Sequence, residues 1–378
     1  MTQIAIVADI HAGVQGRTQD ILWALRTARE YCHATKIDTV LILGDLWHDR
    51  HALEIDVLVG ICEFFAETRE KYEQHWITFP GNHDMFLRHS WQVNSLQALR
   101  KHLTVIEDVK LLTINDQRFW VLPFITYEKP YMTILSKIHE KHEEGDILLT
   151  HIGVKNASLN TCFLLQNWSM VTFEESLFTR VYAGHFHSKQ QVGTNLWYPG
   201  SLIPFKFDEG GISHGFYVYD LGEKTHKFIN IWKAGARFFP DVVPPPQFYT
   251  VHDTELDQFV TSDTVSNDAS LVKHNLIRVA LSRDYGHDEQ KQIRTKLLEM
   301  GAKDVRWLNA KPKSDIELPD NVVVERQQTH LDFFRIWKEV DIKNIKKLQL
   351  DLSLLNRLNI EVVHDGDEQY VMEDSEVI

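Results

Sequence analysis

Five short groups of acidic, amide and histidine residues, each directly after an apolar β-rich run, constrain the fold of this chain most strongly. In chain order they are Asp9-Ile-His11, Gly44-Asp45, Gly81-Asn82-His83-Asp84, His151 and Gly184-His185-Phe-His187. Loops at the carboxyl ends of sheet strands are where α/β folds assemble their sites. We therefore predict that these side chains converge at one edge of a sheet, although the outermost lie nearly 180 residues apart.

The apolar runs between these groups alternate between strand and helix patterns. Buried strands are predicted at residues 3–8, 40–43, 75–79, 119–122, 147–150, 181–183 and 216–219. Helical spacing relates Ile21, Leu25, Ala28 and Cys32, and a second helical face is formed by Ile55, Leu58, Val59, Cys62 and Phe65. Strands that alternate with helices predict an α/β fold with a largely parallel sheet covered by helices.

A length of 378 residues favours more than one domain. We predict a first domain at 1–235, a linker at 236–247 with a run of three prolines, and a small α/β domain at 248–325 with a strand-helix-strand unit. A helical segment follows at 326–358, where apolar residues recur at 3-4-3 spacing. This segment either packs on its own domain or docks against a partner's helix. Residues 359–378 form an acidic tail.

The charge and the cysteine content bear on the cellular compartment of the protein but do not identify its substrate. Seven acidic residues and no Lys or Arg between 361 and 378 account for more than half of the net charge of -13. The charge therefore neither supports nor excludes a nucleic-acid substrate. Three scattered cysteines without a C-x-x-C pair predict reduced thiols, and no apolar run is long enough for a membrane span. We expect a cytoplasmic protein that has no membrane association.

The donor types in the five groups indicate a hydrolytic centre with two divalent metals. Carboxylate, imidazole and amide donors suit Mn, Fe, Zn or Mg, and the lack of Cys argues against a thiolate zinc site. The donors are too many for one ion but serve two if a carboxylate bridges them, and Asp45 is the bridging candidate. Each motif taken alone occurs more often by chance than as a metal site. The five motifs together, in this order, are not explained by chance.

Local geometry should bring these donors together. The pairs Asp9-x-His11 and His185-x-His187 would each project to one side of an extended segment. Glycines beside the donors, at positions 44, 81 and 184, would permit sharp turns and a close approach of the substrate.

These elements resemble the calcineurin-like metallophosphoesterase superfamily. The resemblance implies a sandwich of two mixed β-sheets flanked by helices, with a dinuclear centre at the strand ends. Carried over by position, the first metal would be held by Asp9, His11, Asp45 and His187, and the second by Asp45, Asn82, His151 and His185. His83 would then be the non-ligating general acid, a role that suits a side chain titrating near neutrality.

Within the superfamily, the protein Ser/Thr phosphatases typically read G-D-x-x-D-R-G and G-N-H-E. Here the Asp-Arg pair comes one residue late, and Asp84 replaces the Glu. The chain instead resembles the SbcD-type DNA repair and recombination exonuclease subunits of bacteria or phage. The matching segments are Gly44-Asp-Leu-Trp-His48, Tyr198-Pro-Gly-Ser-Leu202, Phe207-Asp-Glu209 and Gly215-Phe216.

The SbcD resemblance implies a DNA nuclease that uses two divalent ions, Mn²⁺ or alternatively Mg²⁺. It would act as an exonuclease on duplex ends and as an endonuclease on single strands or hairpins. The small α/β domain would cap the nuclease domain, the helical segment would bind an SbcC-type SMC-like ATPase, and the chain would form a homodimer. His48 would be a second catalytic histidine, or alternatively a solvent-facing loop residue. The Pro usual after the second element is absent from residues 49–53.

Two other functions remain open from the sequence. The chain could be a metal-dependent phosphodiesterase or phosphatase for a small-molecule or protein substrate, although such an enzyme needs no capping domain. It could also be a non-enzymatic scaffold, but the intact donor set argues against that reading.

Overall fold

The computed structural model describes residues 3–87, 90–154, 156–160, 163–164, 178–256, 269–308, 360–361 and 371–372. The predicted helical segment at 326–358 and most of the acidic tail lie outside the described residues. The chain forms two compact units, Met1–Ala310 and Lys311–Ile378. All features of the site described below belong to the first unit.

The first sheet has six strands in the order β16-β15-β1-β2-β3-β6. Their bounds are β1 Gln3–Val7, β2 Thr39–Ile42, β3 His75–Thr78, β6 Thr104–Val105, β15 Gly215–Asp220 and β16 Thr225–Asn230. Strands β1, β2, β3 and β6 run parallel, and β15 pairs antiparallel with β1. Ile4 and Ile6 of β1 lie in one core, and Ala5 and Val7 in another. Both faces of this strand are buried, so it reads as a continuous apolar run.

The second sheet also has six strands, in the order β13-β14-β12-β9-β8-β7. Their bounds are β7 Lys110–Ile114, β8 Gln117–Leu122, β9 Ile147–His151, β12 Arg180–Gly184, β13 Gln190–Val192 and β14 Leu196–Tyr198. Ile147 and Leu149 pack in the same core as Ile4 and Ile6, so the two sheets share an apolar interior. The predicted sandwich of two mixed sheets is confirmed.

Helices cover the outer faces of both sheets. The bounds are α1 Thr18–Ala34, α2 Ile55–Tyr72, α3 Glu128–Lys141 and α4 Ile231–Phe238. Helices α1, α2 and α4 contribute to the core outside the first sheet, and α3 to the core outside the second. The predicted face of α1 is buried as expected. Helix α4 continues three residues into the predicted linker.

The predicted apolar face of α2 is wrong in part. Ile55 is 79% exposed and Val59 is 46% exposed. The buried side chains of this helix are Val57, Ile61, Phe64, Phe65 and Thr68. The helix carries two overlapping apolar stripes, and the one that bears both phenylalanines packs on Trp76 of β3. The contacts of Phe64 and Phe65 with Trp76 stabilise this orientation, which helical spacing alone does not encode.

A small three-stranded parallel sheet, which we call the cap sheet, follows in the order β17-β18-β19. Its strands are β17 Phe248–His252, β18 Leu276–Ala280 and β19 Asp304–Leu308, and between them lie the helices α5 Ala269–Val272 and α6 His287–Glu299. The predicted strand-helix-strand unit is therefore present. Its separate core includes Ile277, Val279, Leu297 and Val305. The domain boundaries themselves stay a prediction.

The remaining elements are short. They are the hairpin of β4 Met85–Leu87 and β5 Ser90–Asn94, the pair β10 Ser158–Asn160 and β11 Phe163–Leu164, and 3₁₀ turns at Ser95–Leu99, Phe207–Glu209 and Asp253–Glu255. In the second unit, β20 (Ile360–Glu361) pairs antiparallel with β21 (Val371–Met372). Among the described residues, we find no helix with the length and apolar character of a membrane span.

Candidate metal centre

All five donor groups lie at one edge of the sandwich. Asp9 and His11 follow β1, Asp45 follows β2, and the group from residue 81 to 84 follows β3. In the second sheet, His151 ends β9, and His185 follows β12. Because β1, β2 and β3 are parallel neighbours, as are β9 and β12, their carboxyl ends meet. The predicted convergence is confirmed.

One half of the centre contains Asp9, His11 and His187. The Nε2 atoms of His11 and His187 lie 2.9 Å apart. The Asp9 carboxylate accepts hydrogen bonds of 2.9 and 3.1 Å from the backbone N–H of His185. A ligand atom from each of Asp9, His11 and His187 lies within 4.8 Å of the other two. These three side chains could therefore hold one metal ion.

The other half is organised around the amide of Asn82. Its Oδ1 atom lies 3.0 Å from Nε2 of His151 and 2.9 Å from Nδ1 of His185. Nδ1 of His151 donates to the carbonyl oxygen of Leu43 at 2.8 Å, which fixes the ring and turns Nε2 toward the centre. Nε2 of His151 also lies 3.3 Å from Oδ2 of Asp45. Asp45 therefore stands between the two halves, since its Oδ2 is also 3.7 Å from Nε2 of His11.

The backbone at four of the donors is not extended. The prediction that each donor pair projects to one side of an extended segment is therefore wrong. Asp9, His11 and Asp45 have φ angles of 50°, 49° and 50°, and His185 has 115°. Non-glycine residues rarely adopt this region, and such strain concentrates at functional sites. As a result, His185 faces Asn82 while His187 faces His11, so the H-x-H pair is divided between the two halves.

Two glycines make the close packing of the centre possible. A Cβ atom on Gly81 would lie 2.2 Å from Oδ1 of Asp45, and one on Gly44 would lie 2.7 Å from Nδ1 of His151. Gly44 also has a φ of 79°, which side chains disfavour. Gly44 therefore permits the sharp turn that was predicted, and both glycines permit close packing of the donors. The predicted close approach of the substrate stays a prediction.

Burial and mutual charge set the protonation of the centre. Burial raises the pKa of Asp9 to about 6 and lowers the pKa of His185 to about 3. Burial opposes ionisation of Asp45 and His151 as well, but their mutual attraction lowers the pKa of Asp45 and raises that of His151 to about 9. Asp45 is therefore held as a carboxylate, the form that a metal ligand requires.

The donor chemistry fits divalent metal ions. Asp9 and Asp45 are 0% and 2% exposed, and in the described part of the chain the ion pairs of Asp45 are with histidines alone. Burying two carboxylates with so little positive charge nearby destabilises the folded state unless a cation binds between them. Nitrogen and oxygen donors suit Mn, Fe, Zn and Mg alike, so Mn²⁺ itself stays a prediction. So does the assignment of each ligand to one of two ions.

The two predicted catalytic histidines lie at the mouth of the centre. His48 is exposed and His83 is half-buried, and their rings stack with centroids 5.7 Å apart. Nδ1 of His83 donates to the carbonyl oxygen of His48 at 2.6 Å, and the His83 ring lies 4.8 Å from that of His11. Nδ1 of His48 lies 3.4 Å from Nδ1 of His11. Both histidines are thus near the donors, as predicted; their catalytic roles stay predictions.

Two buried carboxylates support the centre in roles that the sequence did not reveal. Asp84, 0% exposed, accepts hydrogen bonds from the backbone N–H groups of Trp47 and Gly81 at 3.1 and 2.9 Å. Burial, together with the charge of Asp45, raises the pKa of Asp84 to about 7. Oε1 of Glu209 accepts a 2.8 Å hydrogen bond from Nδ1 of His187. The motif Phe207-Asp-Glu209 marked Glu209 only as part of a resemblance.

Two solved structures show a distant likeness to this chain. GAP50, the anchor in the inner membrane complex of Plasmodium, has a TM-score of 0.41 and 11% identity, covering 62% of this chain and 85% of that chain. A dimetal phosphatase from Danio rerio has a TM-score of 0.36 and 13% identity, covering 58% of this chain and 92% of that chain. Likenesses at this level say nothing about activity or substrate.

Viral proteins are among the curated relatives. A presumed phosphoesterase, 078R of Invertebrate iridescent virus 3, is 24% identical over 185 residues, which are 46% of this chain and 50% of that protein. A second, 244L of Invertebrate iridescent virus 6, is 24% identical over 179 residues, 46% of this chain and 61% of that protein. The chain thus spans about half the length of these relatives.

The family model for calcineurin-like phosphoesterases matches residues 2–189. This segment contains all seven predicted metal ligands together with His48 and His83. It also contains β1, β2, β3, β9 and β12, the strands whose ends carry the donors. Residues 2–189 of this chain therefore belong to the calcineurin-like phosphoesterase family.

Proposed function

We propose that this chain is a divalent-metal-dependent phosphodiesterase that hydrolyses DNA. The observation that carries the hydrolytic part is the convergence of seven oxygen and nitrogen donors from five groups, with Asp45 between the two halves. Family membership of residues 2–189 supports the same chemistry. The restriction to DNA rests on the SbcD resemblance.

Two metal ions would be held by the residues predicted from the sequence, with Asp45 shared. Paired divalent ions supply charge that activates an attacking water and stabilises both oxygens of an in-line displacement at phosphorus. The protein must keep Asp45 ionised and the surrounding histidines neutral at their ligating nitrogens. The hydrogen bond from His151 Nδ1 to the Leu43 carbonyl directs Nε2 toward the centre, and a bound cation would replace the Nε2 proton that Asp45 favours.

His83 is the residue that we assign to proton transfer. Its Nδ1 proton is engaged by the His48 carbonyl, so the proton for the leaving oxygen would come from Nε2–H of the imidazolium form, leaving a neutral ring. Its backbone N–H donates to Oδ1 of Asp45 at 2.7 Å, which ties the loop to the central carboxylate. A positioned histidine acid typically contributes about 10²–10⁴-fold to rate.

Three features of the described residues accompany the SbcD resemblance on which the choice of DNA over a small phosphate ester rests. His48 at the mouth is exposed, and Phe86 of the neighbouring hairpin is 48% exposed and contacts the His51 ring at 5.3 Å. The segment Tyr198-Pro-Gly-Ser201 lies behind His187, whose carbonyl accepts a 3.0 Å hydrogen bond from Ser201 N–H. The cap sheet follows the phosphoesterase segment. An SbcC-type ATPase partner and a homodimer belong to the same proposal.

The test uses the full-length chain with Mn²⁺, offered linear duplex DNA, hairpin DNA, bis-nitrophenyl phosphate and nitrophenyl phosphate. We expect cleavage of both DNAs and of the diester, little cleavage of the monoester, and loss of activity in Asp45→Asn. The variant keeps the size of the side chain but removes the charge.

The same assay separates the rival functions. Dominant monoester cleavage, with DNA untouched even when the ATPase partner is present, would favour a phosphatase for small-molecule or protein substrates. No hydrolysis of any substrate by a chain that binds Mn²⁺ would favour a scaffold. Either result overturns the nuclease proposal.

A further inference from the structure

Glu209 lies outside the family-matched segment 2–189 and yet contacts a predicted metal ligand. Its side chain is 1% exposed. Oε1 accepts the Nδ1–H of His187 at 2.8 Å, and Oε2 accepts the backbone N–H of Phe205 at 2.7 Å. Both carboxylate oxygens are therefore used. The His187 ring is held so that Nε2, rather than Nδ1, faces His11.

The 3₁₀ turn Phe207–Glu209 that carries this carboxylate also contacts the cap sheet. The ring of Phe207 packs edge-on against Phe248 of β17, with centroids 4.9 Å apart. The guanidinium of Arg278, on β18, lies 5.0 Å from the Phe207 ring centroid and 3.1 Å from Oδ1 of Asp208. One turn of backbone therefore joins the cap sheet to the metal centre.

The backbone around the turn has little freedom to adjust. A Cβ on Gly210 would lie 2.1 Å from the carbonyl oxygen of Phe248, so the backbone after the turn is in direct contact with the backbone of β17. The carbonyl of Glu209 lies 3.1 Å from Nε2 of the buried His214. A displacement of the cap sheet must therefore displace the turn, and with it the carboxylate of Glu209.

We propose that Glu209 is a positioning residue for His187, and that packing of the cap sheet against the Phe207–Glu209 turn sets the affinity of the centre for divalent metal. The inference rests on the metal centre of the proposed function but not on its substrate. A carboxylate behind a ligating histidine fixes the tautomer and the ring orientation and raises ligand basicity. Loss of such a partner typically lowers metal affinity by about 10–100-fold.

The experiment measures the dissociation constant for Mn²⁺ by calorimetry on the full-length chain, without substrate. The variants are Glu209→Ala, Glu209→Gln, Phe207→Ala and Arg278→Ala. The matched control is Arg283→Ala, because Arg283 pairs at 3.0 Å with Glu289, away from the turn. The unfolding midpoint in EDTA, measured for each variant, separates weak binding from a failure to fold.

We expect Glu209→Ala to weaken Mn²⁺ binding by about 10–100-fold. Glu209→Gln, which keeps an oxygen for His187, should recover part of the affinity. Phe207→Ala and Arg278→Ala should weaken binding several-fold while Arg283→Ala does not.

Each contrary result has a distinct meaning. Unchanged affinity in Glu209→Ala, or equal losses in the Ala and Gln variants, overturns the positioning role. A weakened Glu209→Ala beside unchanged Phe207→Ala and Arg278→Ala overturns the coupling to the cap sheet. A wild-type chain that binds no divalent ion overturns this inference and the proposed metal centre together. Failure to cleave DNA by a chain that binds Mn²⁺ affects the proposed substrate alone.

Discussion

The Nε2 atoms of His11 and His187 lie 2.9 Å apart although 176 residues separate the two histidines in the chain. Two imidazole nitrogens at this distance either share one proton or direct both lone pairs at a cation. Nδ1 of His187 already donates to Glu209. A neutral His187 therefore presents a lone pair at Nε2, which accepts the Nε2 proton of His11 when no metal is bound and would bind a cation when one is present.

Metal should consequently stabilise the fold. At an Mn²⁺ concentration of about 100 times its dissociation constant, we expect a gain of about 2.7 kcal/mol in unfolding free energy. Calorimetry with Mn²⁺ and with EDTA measures the difference, which His187→Ala should largely abolish. His33→Ala, at an exposed position of α1, is the control. Identical unfolding midpoints for the wild type in Mn²⁺ and in EDTA would contradict the prediction.

The role of His83 predicts a dependence on the leaving group. His83→Ala should lower kcat on duplex DNA by about 10²–10⁴-fold, because the departing sugar oxygen needs a proton. The loss on bis-nitrophenyl phosphate should be much smaller, since nitrophenolate leaves without protonation. Steady-state kinetics on both substrates tests this. Equal losses on the two substrates would show that His83 does not act as the acid.

Gly81 should tolerate no side chain. In Gly81→Ala the new Cβ would lie 2.2 Å from Oδ1 of Asp45 and 2.4 Å from its backbone nitrogen. We expect the variant to lose stabilisation by Mn²⁺. Gly60→Ala is the comparison, since its nearest neighbour is the flexible end of Leu22 at 3.3 Å. A helix interior gains up to about 1 kcal/mol from this change. Retained Mn²⁺ stabilisation in Gly81→Ala would contradict the proposed role of Asp45.

His226 predicts a loss of stability in mild acid. Burial, with the nearby charges of Arg180 and Lys189, lowers the pKa of His226 from 6.5 to about 4. The unfolded chain therefore binds a proton more readily than the folded chain, and stability falls as pH drops from 6.5 toward 4. The Nδ1 atom of His226 lies 2.7 Å from the Tyr182 hydroxyl.

His226→Gln keeps an acceptor for that hydroxyl but cannot titrate. We expect the fall in unfolding midpoint between about pH 7.5 and about pH 5 to be smaller in this variant than in the wild type. Thermal unfolding in EDTA at both pH values measures it, with His33→Gln as the matched control. An unchanged pH dependence in His226→Gln would remove His226 as a source of acid sensitivity.

Helix α2 shows where local patterns fail. Residues 55–72 are helical as the spacing indicates, yet the buried stripe contains Phe64 rather than Val59. Spacing predicts that a helix has an apolar face, but the neighbouring element decides which of two stripes is buried. Here that neighbour is Trp76 of β3.

The sequence by itself determined the buried strands and the candidate donor groups at their ends, and the two-sheet sandwich followed from the family resemblance that these groups carry. Strands buried on both faces leave continuous apolar runs, and metal ligands must be particular residue types at strand ends. Both are local properties that a linear pattern records.

The family resemblance already implied how the donors divide between two metals, but only the tertiary structure shows the backbone that turns them toward each other, with positive φ angles at Asp9, Asp45 and His185. Only the tertiary structure shows the hydrogen bond between Glu209 and His187 and the packing of the Phe207–Glu209 turn against the cap sheet. These relationships depend on contacts between segments far apart in the chain. Hydrogen bonding and packing across such distances leave no periodic trace in the sequence.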